Sequence, residues 1–307
     1  MGVFYIHVSR VFLKMKNLKL LLLIPCLLSF SGCAKQYKPK ELDPNTTYTN
    51  VYLIMGQSNA SGNAKQSFLE NSQPELYQKY LEGNSKVLIT RDVDDQIDTN
   101  YVPTKFGFGN NSELFGPEIG MAETLEQYEE KAYVIKATCG ATCLQAHYVN
   151  KLGMKQALYN RYIRFIKQQL KALEDMNFTP RVRGVFWMQG ESDSFKEYAS
   201  TYYEAEKYLL KYLRLDLNEW IYDHFNFVDA YISTKSLWPD PNSINKAKQK
   251  LADNNEHCYC FKTNGEDETA IDLTLKSISG EDPDDAAHYD SASMILLGKT
   301  AAQYLIK

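Results

Sequence analysis

The chain lacks any apolar run long enough to cross a bilayer: its most apolar stretch, residues 20–28, falls well short of the ~20 residues a spanning helix needs. It lacks a basic excess. Thirty-four Lys and Arg stand against 38 Asp and Glu, a formal net charge of −4, which argues against nucleic acid or an anionic membrane surface as the main partner. There is no Gly-x-Ser-x-Gly elbow of the kind that presents the serine in α/β-hydrolases. The six cysteines offer no standard zinc spacing. Cys139-x3-Cys143 and Cys258-x-Cys260, although flanked by His147 and His257, favour disulfides or unpaired thiols over a metal centre. Histidine is scarce, with five in the chain, and this narrows the choice of a general base. No internal repeat and no second domain can be traced.

What is present begins with an export signal. Lys14, Lys16 and Lys19 precede the apolar run, and the small residues Ser31-Gly32 lead to Cys33. The stretch Leu28-Ser29-Phe30-Ser31-Gly32-Cys33 resembles a bacterial lipobox, which implies cleavage before Cys33 and acylation of its thiol. The expected location is the periplasm or cell surface of a bacterium, with the chain held to the membrane by that lipid. Met15 is a better natural start than Met1, so residues 1–14 read as an over-extended beginning. Residues 1–33 are thus signal, 34–50 (rich in Lys, Pro, Asn and Thr) a tether, and 51–307 the working domain.

Along that domain, short apolar runs of strand type alternate with helical patterns. Strands are expected at 51–55, 86–90, 132–137, 182–188 and 225–232. Helices are expected at 117–130, 158–173, 195–220 and 292–305, the last capped by Asp290 or Ser291. This alternation implies an α/β fold with a mostly parallel sheet covered on both faces. Residues 91–115 read as a long excursion near the site, and 233–280 resist assignment. The 22 tyrosines suit either a core or ring surfaces for stacking on sugars.

Four motifs carry chemistry. Gly56-Gln57-Ser58-Asn59-Ala60-Ser61-Gly62 follows the first strand, so Ser58 sits at the carboxyl end of a parallel sheet, where such folds build their sites. Asp285-Ala286-Ala287-His288 precedes the last helix. Its spacing lets Asp285 accept from Nδ1 and turn Nε2 outward, as a general base requires, and none of the other histidines has an acid three residues earlier. Gln189 and Glu191, in Trp187-Met188-Gln189-Gly190-Glu191-Ser192-Asp193, end the clearest strand at the same sheet edge. The Gln189 amide is a donor suited to a developing oxyanion. The small-residue loop from Lys136 to Leu144 offers a backbone N–H, with Gly140 the best placed. Each motif alone also admits a plainer reading, respectively a polar loop, an acidic approach to a helix, a strand end running into a cap and a tight turn.

Together with Gly116-Pro117-Glu118, these motifs occur in an order that resembles the sialate O-acetylesterase and acetylxylan esterase group of the SGNH (GDSL-like) hydrolases. The resemblance spans nearly all of the domain. It implies a three-layer, flavodoxin-like α/β/α sandwich and a Ser58–His288–Asp285 triad. It also implies an oxyanion hole formed by the Ser58 and Gly140 N–H groups with the Gln189 side chain. Gln57, Asn59 and Glu191 would order the site or line it for substrate. The reaction so implied removes O-acetyl groups from carbohydrates such as xylan or sialic acid through an acetyl-enzyme, with no metal or cofactor. The chain departs from the group's pattern at Ala60, Ala141, Cys143 and His147, which places the difference in the acyl or sugar pocket rather than in the triad. Two rivals stand beside this reading: a non-catalytic glycan-binding lipoprotein, and an esterase acting on acyl esters other than those of carbohydrates. Retention of Ser58, Asp285 and His288 together speaks against the first, and the absence of a long apolar lid against lipid substrates.

Overall fold

Residues 37–307 are described by the computed structural model; the signal segment, Cys33 and the start of the tether lie outside them. Six strands form the parallel sheet: β1 (Thr49–Gly56), β2 (Asn84–Val93), β3 (Ala132–Thr138), β4 (Pro180–Met188), β5 (Asn226–Ala230) and β6 (Cys258–Phe261). Their order is β2-β3-β1-β4-β5-β6, every neighbouring pair parallel. Strands β3-β1-β4-β5-β6 make the doubly wound, flavodoxin-like order, with β2 added outside β3. The chain leaves β1 towards one edge and returns to β4 on its other side, so β1 marks the switch point where such sheets open a crevice.

The central strands are apolar at consecutive positions because both faces are covered. All seven residues of β3 are buried, as are Val51 to Gly56 of β1. In β4 and β5, Trp187 and Asp229 are paired in register. They face helices α5 (Tyr202–Asp216) and α6 (Pro241–Asp253), where Trp187 Nε1 donates to Tyr202 and Lys248 meets Asp229. Phe186 points the other way and stacks on Phe261, which stacks on Tyr304 of the terminal helix α7 (Ser291–Leu305). Helix α4 (Ala157–Asp175) joins the first face, its Tyr162 packing near Tyr148, which meets Trp187 edge-on. Helix α3 (Glu118–Tyr128) lies against α7. The three layers follow.

Most expected elements appear within a few residues, and Asp290 is the cap of α7, its side chain accepting the Ser293 N–H at 2.8 Å. The expected helix over 195–220 is instead broken into Lys196–Ala199, α5 and a 3-10 turn at Asn218–Trp220. At the break, Thr201 Oγ1 accepts from Gln145 Nε2 (2.8 Å), anchoring the interruption to the loop after β3. Helices α1 (Gln66–Ser72) and α2 (Pro74–Glu82) fill a stretch that sequence periodicity left unread. The excursion over 91–115 is a set of short antiparallel strands, Gln96–Ile97 and Val102–Thr104 on β2 and Leu114–Phe115 on Ala64–Lys65. Eight of the 22 tyrosines, Tyr52, Tyr80, Tyr133, Tyr148, Tyr159, Tyr162, Tyr202 and Tyr289, are fully buried and belong to the core.

Helices α3 and α7 cross through two glycines. A Cβ on Gly120 would stand 1.9 Å from Ile295 O, and one on Gly298 would stand 2.0 Å from Pro117 O. Backbone cannot yield there as a flexible side chain would. Gly298→Ala is therefore expected to destabilise the fold by about 1–3 kcal/mol or more through overpacking, despite alanine's better helix propensity. Urea unfolding at unchanged m-value checks this; an unchanged midpoint would mean the crossing is looser than the geometry requires.

Candidate active site

Ser58 is half-buried at the first position of a helical turn, Ser58–Ser61, that follows β1. The turn is possible because Gly56 has φ 139° and no Cβ, which would otherwise lie 2.0 Å from Met188 O. Gln57 N–H donates to that same Met188 carbonyl at 2.9 Å, so β4 fixes the approach to the serine. The turn closes with Gly62 N–H on Ser58 O at 2.8 Å.

His288 Nδ1 lies 2.9 Å from both carboxylate oxygens of Asp285. Asp285 also accepts the Ala287 and His288 N–H groups at 3.1 Å and Lys276 Nζ at 2.9 Å. Burial alone would raise the Asp285 pKa, but the hydrogen bonds from Lys276 and His288 outweigh it and bring the group down to about 2. An ionised Asp285 places the ring proton on Nδ1 and leaves Nε2 as a lone-pair acceptor. Lys276 is nearly inaccessible, and it also donates to Asn63 O at 3.0 Å.

Asn59 joins the two halves of the site. Its Nδ2 donates to Glu191 Oε1 at 2.8 Å and to Ala287 O at 3.4 Å, while its Oδ1 accepts the Tyr289 N–H at 3.3 Å. The residues on either side of His288 are therefore pinned to the residue after Ser58. Glu191, almost wholly buried, holds Asn59 in that pose.

The expected oxyanion donors are placed differently from one another. A Cβ built on Gly140 would lie 3.7 Å from Ser58 Cβ, so the glycine borders the serine, and its N–H donates to Asp94 Oδ1 at 2.7 Å. Gln189 is fully buried. Its Nε2 faces Gln57 Oε1 (2.9 Å), Thr142 O (2.9 Å) and Asp193 Oδ2 (2.6 Å), and its Oε1 accepts from Tyr202 Oη (3.0 Å). The amide expected to donate to an oxyanion thus directs its hydrogens to acceptors inside the protein, where it orients Gln57 and the loop bearing Gly140. Gln57 Oε1 in turn accepts the Gly190 and Ser192 N–H groups at 3.3 Å.

Beneath this layer the acids are held in distinct states. Asp193 also accepts the Leu144 N–H (2.7 Å), and burial pushes it up to about 6 against the hydrogen bonds that pull it down. Glu206 is raised well above the ordinary carboxylate range by burial and then by Asp229, which is paired with Lys248 at 2.6 Å. Burial raises Asp229 as well, and the Lys248 ammonium beside it pulls it back.

Cys139, Cys143, Cys258 and Cys260 are free thiols. Burial raises Cys139 to about 12 and Cys143 to about 11, so neither is a thiolate nucleophile near neutrality. His147 accepts the Cys143 N–H at 2.9 Å, and His224 and His257 stack on one another. Among the described residues, no group of three or more His, Cys, Asp or Glu is arranged to hold a metal ion. Lys276 and Asp94 carry no local motif and were missed in the sequence; both reach the site from segments that periodicity could not assign.

The family model for carbohydrate esterase, sialic acid-specific acetylesterase, matches residues 48–307. A solved Arabidopsis thaliana protein superposes with a TM-score of 0.61 at 18% identity, covering 85% of this chain and 98% of that one. NanS superposes at 0.60 and 13% identity, covering 84% and 97%. A carbohydrate acetylesterase from Xanthomonas citri superposes at 0.52 and 14% identity, covering 83% and 55%. At such identities the structural likeness speaks for the fold alone. No curated protein sequence matches the chain.

The raised pKa of Asp193 makes stability depend on pH. The folded value near 6 exceeds the ordinary 3.8, so the contribution is full below 3.8 and is lost as pH rises through 6. Asp193→Asn removes the titration while keeping an acceptor. The stability of wild type relative to this variant is expected to fall by about 2–3 kcal/mol between pH 4 and pH 7. Urea denaturation across that range measures it; a flat difference would mean Asp193 ionises alike in both states.

Proposed function

The chain belongs to the carbohydrate esterase, sialic acid-specific acetylesterase family, and from that premise we propose that Ser58, His288 and Asp285 remove O-acetyl groups from a sugar through an acetyl-enzyme. The observation that carries the reading is the Asp285–His288 pair at 2.9 Å, whose flanking residues Asn59 ties to the serine turn. His288 Nε2 takes the Ser58 proton as Oγ attacks the acetyl carbonyl. The Ser58 and Gly140 N–H groups receive the oxyanion, and Gln189 acts as a positioning residue behind them. His288 then returns the proton to the departing sugar alcohol. Water repeats the sequence on the acetyl-enzyme and frees acetate. Asp285 stays ionised throughout, stabilising the imidazolium and fixing its tautomer.

Acetate release from p-nitrophenyl acetate, acetylated xylan and O-acetylated sialic acid tests this, with Ser58→Ala beside wild type. The variant is expected to retain no more than about 10⁻³ of wild-type turnover. Near-wild-type rates in Ser58→Ala would overturn the triad. A folded wild type inactive on all three esters would favour a glycan-binding role instead. The preferred ester names the sugar.

The export signal and lipobox-like stretch support a second part of the reading: the mature chain carries its acyl chains on Cys33 and acts from a bacterial membrane surface. Expressed in a bacterium, the full chain is expected in the membrane fraction, and Cys33→Ser in the soluble fraction. A wild type recovered as soluble protein would remove the anchor from the account.

A further inference from the structure

The tip of the hairpin after β2 reaches the loop after β3 that borders Ser58. Val93 and Gln96 pair across a two-residue turn, and both turn residues, Asp94 and Asp95, have positive φ (46° and 69°). Arg161 pairs with Asp92 and with Asp95, and among the described residues Asp94 makes no ion pair. Its carboxylate turns instead to the loop after β3, where Oδ1 accepts the Gly140 N–H at 2.7 Å. A Cβ on Gly140 would lie 3.6 and 4.0 Å from the two Asp94 oxygens and 3.7 Å from Ser58 Cβ. Carboxylate and serine therefore flank the same glycine. The other oxygen, Oδ2, is buried with no hydrogen-bond partner of good geometry. The Cys139 thiol beside it is a weak donor.

These facts sit badly with a purely structural acid. A carboxylate on the oxyanion donor opposes the negative charge that develops there during acyl transfer. A buried carboxylate oxygen offered only a weak thiol donor is under-satisfied, and a stronger donor would be favoured beside it. We propose that the Asp94 carboxylate is a removable occupant of the oxyanion site: it holds the Gly140 N–H in the free enzyme, then gives way to the ester carbonyl and accepts a hydroxyl hydrogen of the substrate sugar. This rests on the esterase reading above. A sugar ester supplies a donor that compensates Asp94 for the N–H it gives up. A simple ester without hydroxyls must displace the carboxylate unaided. Asp94 thereby selects for hydroxyl-bearing esters at the step where the carbonyl enters, without touching the reacting atoms.

The test compares kcat/KM for p-nitrophenyl acetate and for an O-acetylated sugar in wild type, Asp94→Ala and Asp94→Asn. Asp94→Ala is expected to gain roughly three- to tenfold on the simple ester and to lose about tenfold on the sugar ester. Asp94→Asn keeps an acceptor of the same size without the charge. It is expected to share the gain on the simple ester and to lose less on the sugar. Inhibition by free acetate reads the same site directly and is expected to strengthen in both variants, because acetate no longer competes with a resident carboxylate. Equal changes on both esters, in either direction, would overturn the proposal and make Asp94 a support for the Gly140 loop. That outcome leaves the triad intact, since Ser58→Ala would still abolish activity. A wild type with no esterase activity would instead remove the catalytic reading itself.

Discussion

Lys136 enters the core from the middle of β3 with no exposed atom and meets Glu118, equally buried, at 2.6 Å. Its ammonium also donates to Ser61 O and Phe108 O, both at 2.7 Å, while the other Glu118 oxygen accepts the Gly116 N–H at 2.7 Å. Burial pulls Lys136 towards neutrality and Glu118 pulls it back. A pair this deep survives because all three ammonium hydrogens and both carboxylate oxygens have partners. What it joins matters most: the end of the serine turn, the loop over 107–112, and the start of α3. A Cβ on Gly116 would come within 2.7 Å of Glu118 Oε2 and 2.9 Å of Lys136 Nζ, so the loop must be bare there. Removing either charge would strand the other, at a cost of about 3–5 kcal/mol, and would free the turn that carries Ser58.

The rest of the site is arranged around that fixed turn by carboxyl groups in unlike environments. Asp285, near the surface and facing Lys276, is held ionised at about 2. Asp193, buried among amides with no cation bonded to it, is pushed to about 6. Glu206, fully buried beside Asp229, is raised well above the ordinary carboxylate range. These differences assign work. A permanently charged acid beside His288 suits stabilising an imidazolium. Asp193 holds backbone and amide donors in place behind the loop, and those donors pull against the burial that raises it. From Asp193 through Gln189 to Tyr202, hydrogen bonds carry that positioning from the Gly140 loop down to α5.

Much of this was legible in the sequence wherever the information is local. Asp285 and His288 lie within one turn of chain, so their spacing alone fixes how they meet. The serine turn likewise follows from a strand ending in Gly56. The parallel sheet was readable because β1, β3 and β4 are apolar at consecutive positions. The contacts that complete the site are long-range, and spacing carries no trace of them. Asn59 could be placed beside Ser58, but its bonds to Glu191, Ala287 and Tyr289 depend on how three loops converge. Gln189 was placed at the correct strand end, yet its orientation is set by Tyr202 and Asp193, which no periodicity could orient. Lys276 sits in the stretch over 233–280 that has no regular pattern. Asp94 belongs to the acidic start of the excursion expected near the site, but which of its acids reaches the site depends on the hairpin turn.

That contrast also explains which positions can tolerate change. In the core, volume and pattern suffice, so one apolar residue can replace another at modest cost if the space is filled. At Gly56, Gly116 and Gly298 the nearest neighbours are backbone atoms or a buried ion pair, within 3 Å of any added Cβ. No side chain fits there without moving the serine turn, the Lys136–Glu118 pair or the α3–α7 crossing. The fold thus rests on many replaceable contacts, whereas the site rests on a few close approaches and satisfied charges that have no substitute of similar shape. A sequence can drift far in the former while the latter hold the serine turn and the loops beside it in place. The Asp94 hairpin belongs to both sets at once: Val93 at its base is buried in the core, while Asp94 at its tip holds the Gly140 N–H, so packing fixes the base and a single hydrogen bond fixes the tip.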